Sequence, residues 1–175
     1  MNTFSVAILS LLISISSGLA ETIDDYEFFG LTWGATISTL HELFPKAVLM
    51  GGRQPRGIGV QTWIFHGSDK KIGDVSDAKV SFYEDKLYMF ELKYDTTKKS
   101  DWKGIFTRLK TRFGEPDPGY AQEGFELIYR WTFSNSQKVI FLTPPQGFDH
   151  FTTVEMWNAE VDDKIEKPKK KGEGF

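Results

Sequence analysis

Apolar positions along the chain switch between a period near 3.6 residues and a period of two, and the switch happens twice in the same order. Phe28-Phe29-Gly30-Leu31-Thr32-Trp33-Gly34 leads into a short stretch in which Ile37, Leu40, Leu43 and Phe44 follow helical spacing. Thr36 is placed to cap that helix and Pro45 to stop it. A glycine-rich loop, Gly51 to Gly59, precedes three segments of extended character: Val60–Phe65, Val75–Glu84 and Leu87–Asp95. The last two are joined by Glu84-Asp85-Lys86, a connection short enough for a hairpin. The pattern then restarts. Ser100 is placed to cap a helix whose apolar stripe is Trp102, Ile105, Phe106, Leu109 and Phe113. Arg108, Lys110 and Arg112 crowd its last turns, where cations complement the helix dipole. Gly114 suits the position after the helix, and Pro116 prevents continuation. Three further extended segments follow: Phe125–Phe133, Lys138–Thr143 and Phe151–Trp157.

The order α-β-β-β, met twice, predicts an α+β fold. Its expected form is an antiparallel sheet of about six strands with both helices on one face, built as a tandem pseudo-repeat over 28–95 and 100–157. Strand alternation assigns the faces. Tyr88, Phe90, Leu92 and Tyr94 share one side, against Leu87, Met89, Glu91 and Lys93. Phe125, Leu127, Tyr129, Trp131 and Phe133 share one side, against Glu126, Ile128, Arg130 and Thr132. The aromatic-rich sides belong under the helices. The other side is mixed in character, not polar, and Tyr83, Met89, Ile128 and Trp157 are assigned to it. A sheet face that carries apolar side chains among charges is a protein-contact surface, or is covered by the C-terminal segment or a loop, or exposes its apolar residues only singly.

The two ends of the chain read differently from its middle. Residues 1–20 carry no charged side chain. The run Val6 to Ile15 is followed by Ser16-Ser17-Gly18-Leu19-Ala20, with small residues three and one positions before Glu21. This layout predicts a signal peptide cleaved after Ala20, hence a periplasmic or secreted protein. The apolar run is short for a membrane span and is interrupted by Ser10 and Ser14. The chain has no cysteine and no Asn-x-Ser/Thr sequon, which fits a bacterial envelope compartment and a core that holds without disulfides. A single domain is expected over 21–161. From Asp162 onward hydrophobic residues thin out, and 162–175 reads as a disordered charged tail. Lys167, Lys169, Lys170 and Lys171 within it offer at most a peripheral contact with a membrane or cell wall.

Candidate chemistry is sparse. The chain contains no Gly-x-Ser-x-Gly elbow and no His-Glu-x-x-His. Its three histidines are scattered: His41 on the polar side of its helix, His66 near Asp69 and Asp74, and His150 beside Asp149. No spacing sets three metal ligands together, so no catalytic residue, metal or cofactor is expected. A net charge of −3 argues against a nucleic-acid partner. The loop Gly51-Gly52-Arg53-Gln54-Pro55-Arg56-Gly57-Ile58-Gly59 is the anion-contact candidate: its glycines allow backbone N–H groups to approach an anion, which Arg53 and Arg56 would pair with. It lacks the Gly-Lys-Ser/Thr ending of a nucleotide loop and precedes a strand.

The opening Gly30-Leu31-Thr32-Trp33-Gly34-Ala35-Thr36, with Leu40, Leu43, Phe44 and Pro45, resembles the turn-into-helix motif of small exported bacterial proteins, and Phe113-Gly114-Glu115-Pro116 and Trp131-Thr132-Phe133 echo the same group. Such modules are similar to the helix-plus-meander repeats of SmpA-type outer-membrane assembly lipoproteins and of β-lactamase-inhibitor proteins. The resemblance covers most of 28–157. It implies a non-enzymatic protein that works by contacting other proteins, although the lipid-bearing cysteine of the lipoproteins is missing here. The expected function is therefore non-catalytic binding of a protein partner, or of itself, through the face of Tyr83, Met89, Ile128 and Trp157. The alternative is a small-ligand or anion-binding protein, or an enzyme, using the Arg53/Arg56 loop.

Overall fold

Local turn chemistry sets the limits of most elements. The structure is a computed structural model that describes residues 22–51, 59–66, 75–96, 102–118, 128–146 and 150–166. The leader expected over 1–20, the Arg53/Arg56 loop, Ser100 and the lysine cluster Lys167 to Lys171 lie outside the described residues. Strands β1 (Glu27–Phe28) and β2 (Leu31–Thr32) form a two-stranded ribbon around the Phe29-Gly30 turn. Helix α1 (Ile37–Leu43) begins where the Thr36 hydroxyl accepts the Thr39 N–H at 3.3 Å and the Asp85 carboxylate accepts the Ile37 N–H at 3.0 Å. These bonds satisfy donors that the first turn leaves without a helical partner.

Strands β3 (Val48–Leu49), β4 (Val60–His66), β5 (Val75–Tyr83) and β6 (Lys86–Asp95) follow. Then come helix α2 (Trp102–Phe113), strands β7 (Tyr129–Phe133), β8 (Lys138–Thr143) and β9 (Phe151–Asn158), and helix α3 (Ala159–Glu166). Strands β3 to β9 form one antiparallel sheet of seven strands in the order β3-β4-β5-β6-β9-β8-β7. The fold is α+β, dominated by this sheet. The seventh strand is β3, a two-residue edge too short to show any alternation of its own.

One face of the sheet carries the main core. A single register row runs Phe65, Ala78, Leu92, Val154, Leu142, Tyr129 across six strands. Phe44, just past α1, stacks on Phe65 at 4.2 Å between ring centroids, and Phe106 of α2 lies 4.6 Å from Tyr129. Phe90 sits at the centre, fully buried, with Trp33, Tyr26 and Phe28 edge-on at 5.0, 5.4 and 6.2 Å. The helix ends are tied into the sheet. Gly114 takes φ 87°, its N–H closes onto Lys110, and its carbonyl accepts the buried Trp131 indole N–H at 2.9 Å. A left-handed position directly after a helix favours glycine.

The β5–β6 hairpin departs from simple alternation. Glu84 and Asp85 have φ of 50° and 58°, the two-residue turn whose twist suits a hairpin. Such a turn pairs Tyr83 with Lys86 and, continued regularly, would set Val80 opposite Met89. The ladder instead pairs Val80 with Phe90, because a bulge between Ser81 and Phe82 leaves Tyr88 as the extra residue on β6. This corrects the face assignment at the start of β6: Leu87 joins the main core, and Tyr88 joins Met89 on the opposite side.

That opposite side is partly covered. Val60, Tyr88 and Met89 form a second small core under α3, with Tyr83, Trp157, Val161 and Ile165 packed around them. The Asn158 side chain caps α3, accepting from the Glu160 N–H at 3.0 Å, and a Lys164–Glu160 pair lies along its outer face at 2.7 Å. The disordered tail expected from Asp162 is corrected in its first part, since the helix runs on to Glu166. Val161 and Ile165, four residues apart, supply the apolar stripe that a composition count over a charged segment obscures. No helix among the described residues is long and apolar enough to cross a membrane.

Candidate functional site

Three of the four residues assigned to protein contact, Tyr83, Met89 and Trp157, gather on the second face of the sheet under α3, so that end of the face is not an open surface. Met89 is only 2% exposed and Tyr83 and Trp157 are half-buried, all against α3. Ile128 stands one residue before β7, near the end of the sheet where Thr143 pairs with Thr153, away from the Met89–Trp157 pair. The expectation that Met89 is available to a partner is therefore corrected: the covering alternative holds at that end of the face.

Beyond α3 the same face continues as a strip of half-buried side chains. Trp157 stacks on Phe141 with centroids 4.7 Å apart and planes at 25°. Next to this aromatic pair, charges of opposite sign are set across neighbouring strands. Lys79 and Glu91 face each other from β5 and β6 with nitrogen and oxygen 2.5 Å apart. His66 Nδ1 meets the Asp77 carboxylate from β4. The Lys93 ammonium lies 3.9 Å from the centroid of the Phe151 ring, a cation–π contact that leaves the cation at the surface. Ile64, His66, Asp77, Lys79, Glu91, Lys93 and Thr153 line a shallow cleft of about 230 Å³. Cross-strand opposite charges are worth a few tenths of a kcal/mol to about 1 kcal/mol each. Their main effect is to hold a pattern of sign in fixed register.

Among the described residues no group of three or more His, Asp or Glu side chains could hold a metal ion. His41 is exposed and lies edge-on to Trp63 at 4.6 Å, while His150 is exposed beside Phe151 at 4.2 Å. Neither meets a carboxylate partner in those contacts. Two perturbed groups belong to a surface pair on α3: the hydrogen bond from Lys164 lowers the Glu160 carboxyl pKa, and the same bond raises that of Lys164. The third, Tyr26, has its phenol pushed far above the ordinary range by burial in the main core. None of the three lies in the cleft.

The charge ladder was legible in part. Asp77-x-Lys79 on one strand and Glu91-x-Lys93 on the next are alternating pairs that share a face. Their pairing partners follow only once the bulge shifts the register, which strict alternation does not provide.

No family model matches the chain, and no curated protein matches it. The structure is similar to that of a cysteine-rich secretory protein from Staphylococcus aureus, at 15% sequence identity and a TM-score of 0.48. The match covers 84% of this chain and 51% of the other, so the chain spans about half the length of that protein.

Proposed function

We propose that this is an exported, non-catalytic protein that binds a protein partner through the part of the second sheet face lying beyond α3. The leader-like residues 1–20 support export to the periplasm or beyond, and the resemblance to exported helix-plus-meander modules supports action by contact. The observation that carries the reading is the stacked Phe141–Trp157 pair beside the Lys79–Glu91 and Lys93–Phe151 contacts. Aromatic side chains contribute most where an interface excludes water, and fixed charges around them select partner and register more than they add affinity.

A photoreactive amino acid placed at Phe141 of the full chain, in cells that export it, tests this reading. A discrete protein adduct is expected from position 141, absent from a probe at Lys103 on the exposed side of α2, and weakened by the charge reversal Lys79→Glu. Equal adducts from both positions, or none from 141, would overturn it.

A further inference from the structure

The two edges of the sheet are protected very unequally. At the β7 edge, Asp117 occupies the free strand: its N–H donates to the Arg130 carbonyl at 2.7 Å, and its carboxylate accepts from Arg130 Nε at 3.0 Å and from the Thr132 hydroxyl at 2.7 Å. The β3 edge has no such device among the described residues. Val48 and Leu49 are 66% and 43% exposed, and Ala47-Val48-Leu49-Met50-Gly51 contains no charged side chain. Unblocked, uncharged apolar edges are what folded proteins normally avoid, because they invite another strand to pair.

The backbone of this edge is also self-complementary. The Met50 N–H donates to the Thr62 carbonyl at 2.8 Å and Val48 stands opposite Ile64, so the even-numbered residues direct their peptide groups toward β4. Leu49 and Gly51 therefore direct theirs outward. The Ala47 N–H turns back to the Phe44 carbonyl at 3.0 Å, which leaves the Ala47 carbonyl for the outside. We propose that two copies of this chain pair edge to edge along β3, antiparallel, about a two-fold axis at Leu49. In that register Leu49 exchanges N–H and C=O bonds with Leu49 of the second copy. Each Gly51 N–H donates to Ala47 of the other chain, and Val48 packs beside Met50 of the other chain. The two-fold axis of an antiparallel pair is normal to the sheet, so both copies would present their second faces on the same side. A partner carrying two sites would then be held by effective concentration.

Sedimentation equilibrium of the protein without its leader, up to about 100 μM, tests the proposal. Wild type is expected to form a dimer. Leu49→Pro removes the central outward donor while sparing the bonds to β4, and Val48→Lys with Leu49→Lys sets like charges across the axis. Both are expected to weaken self-association at least tenfold. Because proline can disturb folding, the double-lysine variant carries the test if Leu49→Pro loses its native circular dichroism. Phe29→Asn removes an equally exposed apolar side chain elsewhere, at φ 49° where asparagine is tolerated, and should leave the dimer intact. The chain has no cysteine, so a nitroxide on Val48→Cys is a unique label. Paired labels are expected within about 20 Å across the axis. A monomer at every concentration, a dimer that survives both edge variants, a dimer lost in Phe29→Asn, or label separations well beyond that distance would each overturn the proposal.

Discussion

Met89 separates the two readings of the second sheet face most sharply. If it were a surface contact, truncating it would leave stability unchanged. In the structure it is 2% exposed between Val60 and Tyr88, with Val161 and Ile165 of α3 over it. Met→Ala in a filled core costs about 2–5 kcal/mol, depending on how far the surroundings can close the cavity. The cover here is a helix of eight residues resting on two apolar side chains, so it can settle, and the lower part of the range applies: about 2–3 kcal/mol. For a domain of this size that corresponds to a fall in Tm of roughly 6–10 °C. Urea unfolding followed by tryptophan fluorescence reads the change directly, since Trp157 borders the site. Ile165→Ala should cost less, and the double variant should show a coupling of about 0.5–1.5 kcal/mol with Met89→Ala. Phe141→Ala, on the part of the face beyond α3, should cost no more than about 1 kcal/mol. A change under about 0.5 kcal/mol for Met89→Ala, together with additive behaviour with Ile165→Ala, would refute the packing of α3 on this face.

Three further outcomes follow from particular contacts. The Lys138 ammonium, on a residue only 8% exposed, is paired with Asp24, so Asp24→Ala should destabilise by about 1–2 kcal/mol, and Lys138→Met in that background should recover most of the loss in a denaturation series. In the hairpin turn, Glu84→Asn should stabilise by about 0.5–1 kcal/mol because asparagine tolerates positive φ; Asp85→Gly should bring no such gain in thermal melts, since it removes the carboxylate that caps α1 at Ile37. Tyr26 is held neutral by burial, so above pH 10, the phenol's ordinary pKa, the unfolded chain releases a proton that the folded chain keeps, and stability falls as pH rises; Tyr26→Phe should flatten that fall in urea midpoints measured between neutral and alkaline pH.

Much of the architecture could be read from spacing. The predicted strand Lys138–Thr143 is the observed β8, and the stripe from Trp102 to Phe113 is the observed α2. Thr36 caps α1 and Gly114 ends α2 with the backbone geometry their residue types favour. These succeed because they depend on neighbours a few residues away. The bulge at Tyr88 was legible only indirectly: a two-residue turn and an apolar set on both strands demand opposite parities, and one extra residue reconciles them. The candidate site was harder. Tyr83, Met89 and Trp157 cluster together, but whether the face they share is open depends on Val161 and Ile165 reaching across it. Nothing in the local composition of a charged segment foretells that contact.

From its order of residues alone, this chain specifies an α+β fold, most of its helices and strands with their turns and caps, and many of the side chains that must leave water, because those follow from short-range sterics and the period of apolar positions. Three-dimensional packing alone settled the rest: the joining of β6 to β9 in one sheet, the cover of part of a face by α3, and the contrast between an edge blocked by Asp117 and one at Leu49 that meets no such device among the described residues. The first two join segments far apart in the chain, where many pairings satisfy the same local pattern and only the burial shared among them selects one.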